Sequence, residues 1–251
     1  MNTAPSSSPA LSANPAPRQA GSTRRVIDAP TRMFHWLFAL CFVGAYLTAD
    51  GERLRLVHVV LGYSMAGLLG FRVLYGLFGP RQARLSLLWG KVANAPFWLR
   101  SVKAAWFGPG QVSWRQGQYL AMAMAVIAML LAVLPLTLSG YAVFHDWGGE
   151  WLEEIHEAVG ELFLWLVLAH LAMLLALSVM RRRNQATPML TGRMEGTGPD
   201  LAKRNHAWLA LLLLATVLSY WSWEWQQAPS PQQAEASCSR AASSTRHADD
   251  C

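Results

Sequence analysis

Five apolar runs constrain this chain more than any other feature: residues 34–49, 57–78, 118–144, 151–180 and 207–223. Each approaches the roughly 20 residues that carry an α-helix across a hydrocarbon layer about 30 Å thick. In lipid every backbone N–H and C=O must be satisfied within the protein, which leaves helices as the natural reading of such runs. Composition agrees: 53% of the residues are hydrophobic and 14% charged, against about 25% charged in soluble domains. A soluble globular protein is thereby excluded. Twelve tryptophans against six tyrosines suit a chain with two membrane–water interfaces, where amphipathic rings collect.

The sequence between the runs sets an orientation. Arg24, Arg25 and Arg32 precede the first run; Arg81, Arg84, Lys91, Arg100, Lys103 and Arg115 lie between the second and third with no acid among them; Arg181, Arg182 and Arg183 follow the fourth. The loop after the third run is acidic instead, with Asp146, Glu150, Glu153 and Glu154. Arg53 and Arg55 in the short link after the first run are balanced by Asp50 and Glu52. Basic loops stay in the cytoplasm, so the N-terminus is expected inside and the C-terminus outside. The net charge of +6 therefore reports topology and membrane lipid, and no nucleic acid partner is expected.

Residues 1–23 are rich in Pro, Ser, Ala and Asn and lack an apolar segment, which predicts a disordered tail rather than a signal peptide. A second disordered tail is expected over 224–251. Residues 96–107, with four aromatics and two basic residues, read as a helix lying in the interface. Pro135 predicts a kink in the third span. Cys41, Cys238 and Cys251 are too few and too scattered for a disulfide framework or a zinc site. Cys41 reads as a small core residue, and Cys238 and Cys251 lie on the oxidising side, where they are able to pair. No CxxCH is present, which excludes covalent haem.

Seven histidines are present, and four of them, His35, His58, His156 and His170, fall within or at the ends of spans 1, 2 and 4. Ionisable groups at such depth are costly and mark function by default; for any one of them, capping a helix or bonding a neighbour is the plain alternative. The set is more informative. His156 and His170 are 14 residues apart on one helix, hence about 21 Å along the axis and only about 40° around it. They share a face and cannot bind the same ion. Depth sorts the four into His58 with His156 near the outside and His35 with His170 near the inside. Facing imidazoles at two levels are what two six-coordinate b-type haems stacked in a helix bundle require.

Gly62 and Gly160 each follow a histidine by four residues, on the same face. A missing side chain there admits a flat macrocycle, although small residues also serve helix–helix packing. Arg72, 14 residues after His58, either pairs with propionates of the inner haem or snorkels to the inner interface. Glu157 and Glu161 either serve a proton path or sit in the outer interface. His145, His206 and His247 read as interfacial or solvated.

The stretches RVIDAPTRMFHWLFALCFVGAYLT, LVHVVLGYSMAGLLGFRVLYGLFGPR and WLEEIHEAVGELFLWLVLAHL resemble the bacterial cytochrome b561 family, which includes the cytochrome b subunits of nickel-dependent hydrogenases. The resemblance covers roughly residues 26–192. It implies an all-α, integral membrane four-helix bundle with two stacked haems, here followed by an additional C-terminal transmembrane helix. By that resemblance His35 and His170 hold the inner haem b, and His58 and His156 the outer one. Before the third span the chain reads SWRQGQYLAM, where many members carry Gly-His-Asn-Pro, so no quinone or partner contact is carried onto that corner.

The domain plan is then a tail over 1–23, a di-haem membrane domain over 24–192, a loop and fifth helix over 193–223, and a tail over 224–251. The function implied is electron transfer between the quinone pool and a redox partner in a respiratory chain, the partner being a periplasmic c-type cytochrome, a hydrogenase or a dehydrogenase. Two other readings stay open at this stage: a stand-alone quinone-linked oxidoreductase acting on a small redox substrate, and a haem-free membrane anchor or transporter whose histidines bind metal or protons.

Overall fold

The computed structural model describes residues 23–107, 112–196 and 198–227. Residues 1–22, His247, Cys238, Cys251 and the tail from 228 lie outside the described residues. The described residues are mostly helical.

Helix α1 (Ala29–Leu47) begins five residues before its apolar run. Asp28 explains the early start: its carboxylate accepts from Thr31 N at 3.3 Å, and Pro30 occupies the first turn, where a missing N–H is harmless. Thr48 closes the helix by donating its hydroxyl to the Gly44 carbonyl at 2.8 Å. Helix α2 (Arg55–Phe78) stops at Gly79, ahead of Pro80. Two shorter helices follow, α3 (Ser86–Ala93) and α4 (Ala95–Phe107). Helix α4 buries none of its residues and exposes Phe97, Trp106 and Phe107.

Helix α5 (Trp114–Phe144) runs through Pro135 without a break in its assignment. Helix α6 (Glu150–Arg181) carries Glu150 and Glu153 in its first turn and Arg181 in its last, each sign placed to complement the helix dipole. The short α7 (Thr187–Thr191) precedes α8 (Ala207–Gln227), which outruns its expected end by four residues. Between them a strand, β2 (Arg193–Glu195), pairs antiparallel with β1 (Thr23–Arg25), Arg24 opposite Met194. No alternation in the sequence announced this pair.

Among the described residues four helices, α2, α5, α6 and α8, are long and apolar enough to cross a membrane, and the chain is a multi-pass membrane protein. Helix α1, counted as a span from sequence, is not one of the four; its 19 residues include Pro30, Thr31, Arg32 and His35, which dilute the apolar stretch. It is nonetheless central. Helix α1 packs on α2 and α8, α2 packs on α5, and α5 runs along α6. Trp221 Nε1 donates to Ser64 Oγ at 2.8 Å, fixing α8 to α2. The closest ring contact between α6 and α1 is Phe163 against Phe42, at 4.8 Å between centroids. The core follows from these contacts: Cys41, Leu68, Val133 and Phe163 have almost no exposed surface, while Leu131, Leu175 and Leu211 face outward as lipid-facing residues would.

The basic segments gather at one end. There Tyr75 donates its hydroxyl to Asp28 Oδ2 at 2.6 Å, joining the end of α2 to the start of α1, and Arg181 donates to Gln118 Oε1 at 2.6 Å, joining α6 to α5. Asp28 is only 1% exposed, so Tyr75→Phe leaves a buried carboxyl group short of a donor. The expected loss is about 1–3 kcal/mol, read as a lower thermal midpoint of the purified protein in detergent; an unchanged midpoint would show that the bond contributes nothing.

Candidate functional site

His58 lies in the first turn of α2, against the last turn of α1. Its Nδ1 donates to the Ala45 carbonyl at 2.8 Å. A carbonyl only accepts, so the proton is on Nδ1 and Nε2 keeps a free lone pair. His156, two turns into α6, is held the same way by α5. Its Nδ1 is 3.1 Å from the Leu136 carbonyl and 3.1 Å from Ser139 Oγ. Ser139 donates in turn to Leu136 O at 3.2 Å, leaving its oxygen free to accept from the imidazole. Gly140 completes the seat: a Cβ there would come within 2.8 Å of His156 Cε1.

These contacts bring the His58 and His156 rings to 6.1 Å between centroids, at 81° to each other. Two metal–imidazole bonds of about 2 Å each, with the ring radii added, put the centroids of a pair sharing one ion about 6 Å apart. The observed separation is close to that distance.

The other two histidines lie toward the basic end, His35 two turns into α1 and His170 in the second half of α6. Neither Nδ1 has a hydrogen-bond partner, although both atoms are buried. Trp36, edge-on to His35, donates to the Met189 carbonyl of α7 at 3.2 Å. Among the described residues no three of His, Cys, Asp and Glu converge as a bare metal site.

Between the two levels lies a residue the sequence reading passed over. Phe163 is seven residues from both His156 and His170, hence on their face and about 10 Å along the axis from each. It is 1% exposed and sits against Phe42 and Phe38 of α1, its ring centroid 4.8 and 6.2 Å from theirs. Phe42 is itself seven residues after His35. An aromatic layer thus separates the two pairs.

The remaining candidates are placed as follows. A Cβ at Gly62 would meet nothing within 4 Å, and one at Gly160 only Leu136 Cδ1 at 3.8 Å. Open space lies beside Gly62, whereas Gly160 is in ordinary contact with Leu136 of α5. Arg72 Nη1 donates to the Ala83 carbonyl at 2.9 Å, bracing the turn after α2. Glu157 and Glu161 are exposed, and Cys41 is a buried free thiol. His145 caps α5 by bonding the Tyr141 carbonyl at 2.9 Å, its ring 4.2 Å from that of Tyr141. His206 precedes α8 and lines, with Phe71, Tyr75, Phe78, Arg204 and Leu209, an open cleft of about 700 Å³ between α2 and α8.

Residues 26–192, about two thirds of the chain, match the family model of prokaryotic cytochrome b561. The chain belongs to this family. It is accordingly a membrane b-type cytochrome of electron transfer and binds haem b. No curated protein and no solved structure matches it. All four histidines fall inside the matched region, whereas α8 lies beyond it.

The residues present fit such a group. A haem held by two imidazoles needs two Nε2 lone pairs facing across a gap, with flat space beside the ligand helices. His58 and His156 bring their rings to a suitable separation with Nδ1 engaged elsewhere, and the helix face at Gly62 is open. The signals for Ser139 and Gly140 were absent from the sequence, because they depend on the register of α5 against α6.

Proposed function

We propose that this cytochrome holds two haem b groups, one between His58 and His156 and one between His35 and His170, and passes single electrons between the quinone pool and a redox partner beyond the membrane. The observation that carries this reading is the 6.1 Å separation of the His58 and His156 rings, with both Nδ1 protons engaged elsewhere. Bound haem supplies a one-electron couple between ferric and ferrous iron, whose potential the protein sets through ligands, hydrogen bonds and burial.

The chain's own residues do the rest. Ala45, Leu136 and Ser139 fix the tautomers of the outer ligands, and Phe163 with Phe42 keeps water from the space between the levels. Gly62 and Gly160 admit a flat ring. Arg72 braces the basic end through Ala83, where a propionate partner would also be wanted. The cleft between α2 and α8 supports a quinone as one partner: its volume lies in the range of small-molecule sites, and Phe71 and Tyr75 stack along its wall at 5.5 Å and 10°. Tyr75, whose proton is donated to Asp28 Oδ2, offers that cleft a proton-exchanging pair. Clustering of the basic residues at the His35/His170 end supports a cytoplasmic placement for it, with the N-terminus inside, the acidic loop outside, and α1 and α8 both spanning.

The test is a haem count on the purified full-length chain, with reduced-minus-oxidised spectra before and after adding a short-chain quinol. Two haems per chain, reducible by the quinol, are expected. A chain that purifies without haem would overturn the reading. Turnover of a small substrate by the chain alone would favour a stand-alone oxidoreductase in place of an electron carrier.

A further inference from the structure

The two histidine levels differ in what holds their second nitrogen. At the acidic end both Nδ1 atoms donate: His58 to the Ala45 carbonyl at 2.8 Å, and His156 to Leu136 O and Ser139 Oγ at 3.1 Å each. At the basic end the Nδ1 atoms of His35 and His170 are buried and donate to nothing. A hydrogen bond from the distal nitrogen makes an imidazole a more basic ligand, and a more basic ligand stabilises ferric over ferrous iron. The charge along α6 runs in the same sense: Asp146, Glu150, Glu153 and Glu154 precede His156, and Arg181, Arg182 and Arg183 follow His170, where positive charge favours the reduced state. The buried Asp28 at that end offsets part of it.

We propose that the His58/His156 level is the lower-potential of the two and that Ser139 is the positioning residue that sets it, so that reducing equivalents collect at the His35/His170 level. This rests on the di-haem reading and adds to it an order and a residue. Ser139 is suited to the role by position: it is 6% exposed and one turn after Leu136. Its hydroxyl proton is directed to Leu136 O, which turns its lone pair toward the His156 N–H. Gly140, next in the chain, keeps the ring pressed against this seat. Among the described residues no hydroxyl bonds the Nδ1 of His35 or of His170.

The experiment is a potentiometric measurement of the visible spectrum of the full-length protein in detergent, with the haem content of every sample determined alongside. Two components are expected in the wild type. His58→Met identifies the component of the first level without removing a ligand, because a Met/His pair raises the potential; the lower component is expected to move up. Ser139→Ala should raise that same component by about tenfold in the ferrous-to-ferric ratio, equivalent to 59 mV for one electron, and leave the higher one in place. Ser139→Thr, which keeps the hydroxyl, should return it toward the wild-type value.

The proposal is overturned if His58→Met moves the higher component, or if Ser139→Ala moves neither component or moves the higher one. A wild-type haem content below two per chain overturns the di-haem reading itself, a different failure that the haem determination identifies.

Discussion

Alanine at His58 and His156 together is expected to leave one haem per chain, the same content as either single replacement, whereas alanine at His58 and His170 together is expected to leave none. The asymmetry between two equally severe double changes is what makes the result informative. A b haem has no covalent tether, so its retention depends on two axial bonds and on burial. Losing either partner of a pair removes one group, and losing the second partner of the same pair has nothing left to remove. One replacement at each level empties both. The geometry supports this partition because His58 and His156 face each other at 6.1 Å, while His156 and His170 lie two heptads apart on the same face of α6. Haem per chain, from the pyridine haemochrome spectrum of protein eluting as a single species, is the measurement. Loss of both haems from His58→Ala/His156→Ala alongside retention of one in His58→Ala/His170→Ala would refute the pairing. His58→Met, which preserves a ligand, guards against the trivial case in which an alanine variant fails to fold.

The sequence revealed as much of this site as helical periodicity can carry. The four histidines stood out because an ionisable group in an apolar run is rare, and their depths followed from a constant rise per residue. Runs of apolar residues located α2, α5, α6 and α8 to within a few residues at each end. They missed the start of α1, because Asp28 and Pro30 begin a helix by capping and by a fixed φ rather than by hydrophobicity. They also missed the β1–β2 pair, whose strands are three residues each and joined across most of the chain. Ser139, Gly140 and Ala45 escaped for a different reason. Each matters only through the helix it faces, and the register of one helix against another is not written in either one alone. Phe163 was readable: a large aromatic seven residues from each of two histidines shares their face, and the heptad spacing that relates His156 to His170 also passes through it.

Phe163→Ala is expected to be the most damaging replacement outside the histidines, lowering stability by about 3–5 kcal/mol and the thermal midpoint in detergent by on the order of 10 °C. The ring is almost fully buried and is the closest ring contact between α6 and α1, through Phe42 at 4.8 Å and Phe38 at 6.2 Å. Elsewhere α6 makes its extended contact with α5, so no second aromatic layer is available to close the gap. Truncation opens a cavity midway between the two histidine levels, and its effect should reach both equally. Haem content is therefore expected to fall in parallel at the two levels, unlike the one-for-one loss caused by changing a ligand. Phe163→Leu, which restores most of the apolar volume, should recover most of the midpoint. Calorimetry and haem counts on the same preparations decide the matter: loss confined to one level, or a midpoint unchanged by alanine, would mean that α6 is held to α1 by something other than this ring.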